Sequence, residues 1–120
     1  MGDYRELLGY QKAFSLAMDV FQCVKKFPRE EKYSLTDQLK RSTRSVCANI
    51  AEAYKRRRYK DYFISRLNDA QAENAESQVW LDFAFACGYL DEIKYKDLSQ
   101  KNDETARLIF FMISNPLKFT

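Results

Sequence analysis

The sequence predicts an all-α protein, an antiparallel up-down-up-down bundle of four helices. Three observations lead there. Apolar residues recur at alternate steps of four and three, the spacing of one helix face, and nothing in the chain reads as a strand. Three glycines and two prolines in 120 residues leave little turn punctuation, so the elements are few and long. Short connections between long helices then force chain neighbours to run antiparallel. Hydrophobic residues form 46% of the chain and aromatics 15%, which excludes a disordered polymer. The length suits one domain, residues 1–120, with a core of its own.

In the first helix, expected over about residues 9–27, the seam reads Tyr10, Phe14, Ala17, Phe21 and Val24, widened by Ala13, Val20 and Phe27. Pro28 ends it, because proline disfavours helical geometry in the residue before it. The second, expected over 35–55, opens at Ser34 as N-cap with Asp37 three residues on, a weaker form of the capping box. Its seam is Leu35, Leu39, Ser42, Val46, Asn49 and Ala53. The third, expected over 59–87, carries Phe63, Leu67, Ala70, Asn74, Ser77, Leu81 and Ala84 inward, with Gly88 as its stop. The fourth, expected over 92–114, turns Leu98, Thr105, Leu108 and Met112 inward until Asn115 and Pro116 end it.

The break between the second and third helices has no local chemistry to mark it. From Ile50 to Ile64 there is no Gly, Pro, Ser or Asn. A turn near Lys55 to Arg58 is expected for two reasons. An unbroken helix of roughly 50 residues is abnormal in so short a domain. Adjacent cations are also best tolerated at a helix C-terminus, where the dipole is negative.

The chain contains no histidine. Nucleophile systems built on histidine, histidine-containing zinc sites and the commonest general base are therefore excluded. No catalytic residue, metal site or cofactor is expected. Cys23, Cys47 and Cys87 are widely spaced within helical patterns, so reduced, packed thiols in a cytoplasmic setting are expected. The start "MGDYRELL" has no signal-like apolar stretch. The run Leu108 to Ile113 falls far short of the roughly 20 residues that span a bilayer, so no membrane partner is expected.

Net charge is +3, but it is unevenly distributed. Residues 40–66 carry nine Lys and Arg against Glu52 and Asp61, whereas residues 67–92 carry six carboxylates and no Lys or Arg. A basic zone and an acidic zone follow. Gln38, Arg41, Ser45, Asn49 and Glu52 form a polar stripe along the second helix, overlapping the basic zone, and Glu73 and Glu76 lie on the facing stretch of the third. Arg41 is expected to pair with Glu76 or Glu73, giving a hydrogen-bonded network that sets helix register. A di-metal carboxylate bundle would need Glu-x-x-His pairs, which are absent.

The stretch "EKYSLTDQLKRSTRSVCANIAEAY" resembles the signature of the 23S rRNA intervening-sequence protein family of four-helix bundles. Glu31, Tyr33, Leu35, Gln38, Arg41, Ser45, Asn49, Ile50, Ala51 and Glu52 match its pattern, and the similarity runs on through Glu76 to Gly88–Leu90. Ala53 stands where that family usually closes the second helix with glycine, Tyr59 stands near a usual serine, and Ala72-Glu73 replaces a frequent Gly-Ser. The resemblance implies a bacterial protein without enzymatic activity. Members are encoded within insertions in large-subunit rRNA genes or elsewhere in bacterial genomes. It also implies kinship with the accessory protein of diversity-generating retroelements, a basic homopentamer that binds nucleic acid and a reverse transcriptase.

Lys55, Arg56, Arg57, Arg58 and Lys60 are the candidate nucleic-acid contacts, interleaved with Tyr54, Tyr59, Tyr62 and Phe63. Cations meet phosphates, and rings stack on bases. In a bundle this turn lies at the end that holds both termini, near Arg5 and Lys118. The alternative is a scaffold for a protein partner, using the acidic zone at Asp69, Glu73, Glu76 and Asp82 or the aromatic tail from Leu108. A homo-oligomer is expected as well, because Phe83 and Phe85 cannot share a helix face and Phe110 and Phe111 cannot both point inward.

Overall fold

Helices α1 (Leu8–Val24), α2 (Leu35–Lys55), α3 (Lys60–Ala86) and α4 (Glu92–Ser114) make up the computed structural model, which describes residues 2–120. Short 3-10 turns at Tyr4–Glu6, Arg29–Glu31 and Pro116–Lys118 complete it, and there is no strand among the described residues. Each helix packs on its chain neighbours and α1 closes the ring against α4, with the α2–α3 interface the most extensive. The result is an antiparallel up-down-up-down bundle measuring 44 × 25 × 20 Å.

Gly88 stops α3 in a Schellman arrangement. Its φ of 81° lets the Tyr89 N–H reach the Ala84 carbonyl at 2.8 Å while its own N–H bonds the Phe85 carbonyl at 3.0 Å. Asp91 then caps α4 by accepting from the Lys94 N–H at 2.7 Å. The cap of α2 differs from the expected one. Ser34 makes no side-chain bond to the helix; its hydroxyl donates to Glu31 Oε1 at 2.7 Å, and that oxygen accepts from the Leu35 N–H at 3.4 Å. Glu31 also receives the Tyr89 hydroxyl at 2.8 Å, which ties the α1–α2 and α3–α4 connections together.

All seven residues expected inward on α3 are buried. The first helix meets expectation in part, since Ala13, Ala17, Val20, Val24 and Phe27 are buried as expected. Its buried face is Gly9, Ala13, Leu16, Ala17, Val20 and Val24, while Phe14 is 50% exposed and Tyr10 and Phe21 are only half-buried. Gly9 faces α4, where a Cβ would stand in ordinary contact, 3.6 Å from Met112 Sδ. The helix also ends at Val24, with Lys25–Phe27 forming a tighter turn before Pro28. On α4, Ile109 and Asn102 point inward, and Leu108 is only half-buried. Of the cysteines, Cys47 is buried, and burial pushes its thiol up to about 11. Cys23 is half-buried, and Cys87 is exposed at the end of α3 rather than packed.

The core is divided. One apolar cluster, including Ile50, Ala53, Tyr54, Phe63, Leu67 and Ile109, lies toward the α2–α3 turn. A second, including Val20, Leu39, Leu81, Leu90 and Leu98, lies toward the opposite end. Between them runs a buried polar layer. Ser77 Oγ donates to Ser42 Oγ at 2.8 Å, and Asn74 and Asn102 each donate their amide N–H to the other's backbone carbonyl at 3.0 Å. Asn102 also donates to Gln78 Oε1 at 3.3 Å.

Candidate nucleic-acid interface

The chain reverses from α2 to α3 through Arg56–Tyr59 without a positive φ. Packing and Arg57 hold this reversal. Ala53 and Tyr54 on one side and Phe63 on the other are buried in a single cluster. Arg57 folds back so that its Nη1 donates to the Tyr54 carbonyl at 2.9 Å, and its guanidinium lies 4.0 Å from the Tyr54 ring centre. The Tyr54 carbonyl, which also accepts from the Arg57 N–H at 3.2 Å, thus gains a charged donor at the helix end.

The five expected cations are near one another but do not act alike. Lys55, Arg57 and Arg58 line a cleft of about 460 Å³ together with Tyr59 and Thr120. Arg56 stands over the Tyr62 ring at 5.3 Å, and Lys60 opens α3 outside the lining. None of the five forms an ion pair among the described residues. The termini do adjoin this end. The Asp3 carboxyl is held below the usual range chiefly by the Arg5 N–H, then by the Arg5 guanidinium, with a smaller share from Lys55. Arg5 is thereby engaged with Asp3, at 2.9 Å, and Lys118 lies over the Phe111 ring.

The interleaved aromatics are mostly spent inside the protein. Phe63 and Tyr54 are buried. Tyr62 is half-buried and donates its hydroxyl to Glu52 Oε1 at 2.9 Å. Only Tyr59 is broadly open, at 57% exposure, and its ring has no aromatic or cation partner among the described residues. Position in the sequence gave no way to separate it from the other three.

The polar stripe of α2 lies on the flank of the α2–α3 interface and splits in two. At one end Arg41 Nη2 donates to Glu76 Oε1 at 2.7 Å and to Gln38 Oε1 at 3.0 Å, with Glu73 3.7 Å from Nη1. Trp80 Nε1 adds a bond to Glu76 at 3.3 Å. At the other end Arg66 binds Glu52 at 3.0 Å, Asp69 at 3.1 Å and Asn49 Oδ1 at 3.5 Å. Ser45 joins neither group and instead borders a shallow concavity with Lys40 and Arg44. Sequence reading did not single out Lys40 and Arg44 as site residues. Their signal was present in the count of nine basic residues, but nothing in the count showed which would stay unpaired.

These pairs change the meaning of the charge map. Arg41 of α2 is paired with Glu73 and Glu76 of α3, and Arg66 of α3 is paired with Glu52 of α2 and with Asp69 on its own helix. Asp82, the remaining member of the acidic set, accepts from Tyr95 at 2.6 Å and Gln78 at 3.0 Å. Exposed pairs of this kind contribute at most about 1 kcal/mol each. Their larger effect is to leave the α2–α3 turn as the densest uncompensated positive charge. No group of three or more metal-ligating side chains occurs among the described residues, and no described helix is long and apolar enough to cross a membrane.

Comparison with known proteins agrees with this architecture. No curated protein matches the chain. Among solved structures, a protein with unknown function from the S23 ribosomal protein family of Bacteroides thetaiotaomicron VPI-5482 superposes with a TM-score of 0.81 at 26% identity. The match covers 89% of this chain and 96% of that one. The sequence profile of the family described as 23S rRNA-intervening sequence protein matches residues 5–110. With nearly its whole length matched, and a four-helix fold to go with it, the chain belongs to the 23S rRNA-intervening sequence protein family.

Proposed function

We propose that this bacterial, cytoplasmic chain is a non-enzymatic nucleic-acid-binding bundle, taking RNA or DNA on the end formed by Lys55, Arg56, Arg57, Arg58 and Lys60. One observation carries the reading: five cations within six residues, none ion-paired among the described residues, at a turn where three of them line a cleft. Binding would be tolerant of sequence, because phosphates and not base edges are the main target. The test is titration of a mixed-sequence oligonucleotide across a salt series. With four phosphates engaged, log K falls against log salt with a slope of about −3. Changing Lys55 and Arg58 to Ala lowers that slope by about 1.5 and weakens binding at every salt concentration. Arg57 is a poorer test residue, because it also holds the turn together. Binding that ignored salt, or that survived in the variant unchanged, would overturn the reading.

The same chain is proposed to act as a homo-oligomer, with a pentamer favoured by the family resemblance. Phe14, Met18, Phe83, Phe110 and Phe111 are all at least 44% exposed, more apolar area than a solitary bundle usually leaves wet. Ring assembly would repeat the basic end and multiply its phosphate contacts. Sedimentation velocity at micromolar concentration should find a single species several times the 14.2 kDa chain mass; a stable monomer refutes assembly.

A scaffold for a protein partner, such as a reverse transcriptase, is the second reading. The acidic zone supports it little, since those carboxylates are engaged internally. What favours it is a groove of about 420 Å³ between α2 and α3, lined by Leu35, Trp80 and Phe83 and flanked by the 85%-exposed Tyr33.

A further inference from the structure

We propose that the cleft at the α2–α3 turn receives one unstacked nucleotide of a single-stranded polynucleotide, with Tyr59 as the stacking platform and Lys55 and Arg58 on the flanking phosphates. The inference rests on the nucleic-acid reading above and narrows it to a strand type. Four features of the end support it.

The first is shape. The cations surround a concavity of about 460 Å³ rather than lying on a flat face, and Tyr59 forms part of its wall. A splayed base and its sugar fit such a space. A duplex keeps its bases stacked inside and offers a ring nothing to stack on. The second is the state of Tyr59 itself. Tyr54 and Tyr62 already carry guanidinium groups on their faces, from Arg57 and from Arg56 and Arg66, whereas Tyr59 carries none. An exposed ring without an internal partner, set among unpaired cations, is the combination that single-strand binders use.

The third feature is preorganisation. Arg57 lines the cleft but is fixed by its bond to the Tyr54 carbonyl and by the ring beneath it. Its charge is already in place before any ligand arrives, so little side-chain entropy is lost on binding. The fourth is the beginning of α3. Tyr59 is its N-cap residue and makes no side-chain cap bond, so the first-turn N–H groups beside the cleft lack a side-chain acceptor. An uncapped helix start adds donors and a favourable dipole for phosphate. With the end of the bundle only 25 × 20 Å across, the footprint is a few nucleotides per chain.

The experiment compares three fluorescent probes on the native full-length protein: a short polyuridine, its deoxy counterpart and a blunt RNA duplex of the same length. Tyr59→Ala and Tyr59→Phe are measured beside the wild type, with a thermal melt of each to confirm unchanged folding. Single strands should bind on the order of tenfold tighter than the duplex. Tyr59→Ala should lose most of that preference, Tyr59→Phe should keep it, and duplex binding should not move. The ratio between the two single strands assigns the sugar. Equal, salt-sensitive binding of single strand and duplex, indifferent to Tyr59→Ala, overturns the stacking cleft and leaves the basic end standing. Absence of binding to all three probes at low salt overturns both.

Discussion

Replacing Phe63 with Ala lowers stability by about 3–5 kcal/mol, a large fraction of the 5–15 kcal/mol typical of a whole domain. Phe63 is 0% exposed and is the largest of the fully buried side chains. It sits in the first turn of α3 and belongs to the cluster that holds Ile50, Ala53, Tyr54 and Leu67, with the Phe119 ring centre 6.3 Å away. Its removal opens a cavity directly beneath Arg56–Tyr59, where the backbone has no glycine or proline to enforce the reversal. Two readouts should therefore move together. The denaturant midpoint falls without a change in slope, and binding by the basic end weakens even at temperatures where the variant remains folded. Phe63→Leu keeps most of the volume and should lose much less. A small stability change for Phe63→Ala would mean that the C-terminal turn around Phe119 collapses into the space.

Asn102→Asp should be nearly as damaging, and its effect should depend on pH. Asn102 is 3% exposed, and its amide nitrogen donates to the Asn74 carbonyl and to Gln78 Oε1. A carboxylate there would face two acceptors instead of donating to them, with no cation to compensate it. An uncompensated buried charge destabilises by roughly 3–5 kcal/mol. Burial raises the folded pKa of such a group above its unfolded value of about 3.9. The folded state then binds more protons, so the destabilisation is small near pH 4, grows as pH rises, and is complete above the folded pKa. Urea melts at about pH 4.5 and pH 8 distinguish the causes. Equal losses at both would assign the damage to the missing donor alone.

This polar layer also explains how the helices keep their register. Ser42, Asn74, Ser77 and Asn102 interrupt the apolar seam at one level of the bundle, between the two hydrophobic clusters. A slip of one turn would set their buried polar atoms against leucine and valine, at about 1–3 kcal/mol for each unmet group. The stripe of Gln38, Arg41, Asn49 and Glu52 is better placed to support the α2–α3 pairing from outside, where solvent weakens each contact. Sequence reading assigned register to the stripe. Both sets have helical spacing, and spacing does not say which of two adjacent arcs is covered by a neighbour.

The same limit accounts for the first helix. Two apolar arcs share α1, one carrying Tyr10, Phe14 and Phe21 and the other Ala13, Leu16, Val20 and Val24. The sequence reading placed members of both arcs inward and omitted Leu16; the structure buries Ala13, Leu16, Val20 and Val24 and leaves Phe14 exposed. For α3 only one arc is consistently apolar or small, and there the inward face was legible in full. The basic turn was legible as charge, but the identity of its open ring was not. Tyr54, Tyr59, Tyr62 and Phe63 are equivalent as letters and become different only when Arg57, Glu52 and the core claim three of them.

By itself, then, the sequence determined the four helices, the break at Lys55 to Lys60 and the family. These depend on periodicity, local repulsion and a motif carried by consecutive residues. The pairing of Arg41 with Glu76 was also legible in the sequence. Tertiary structure alone decided that Phe14 stays outside the α1 core, that Arg66 of α3 pairs with Glu52 of α2, and that Tyr59 with its neighbouring cations is left open. Periodicity belongs to one helix considered alone, whereas burial and charge pairing depend on what the neighbouring helix places opposite.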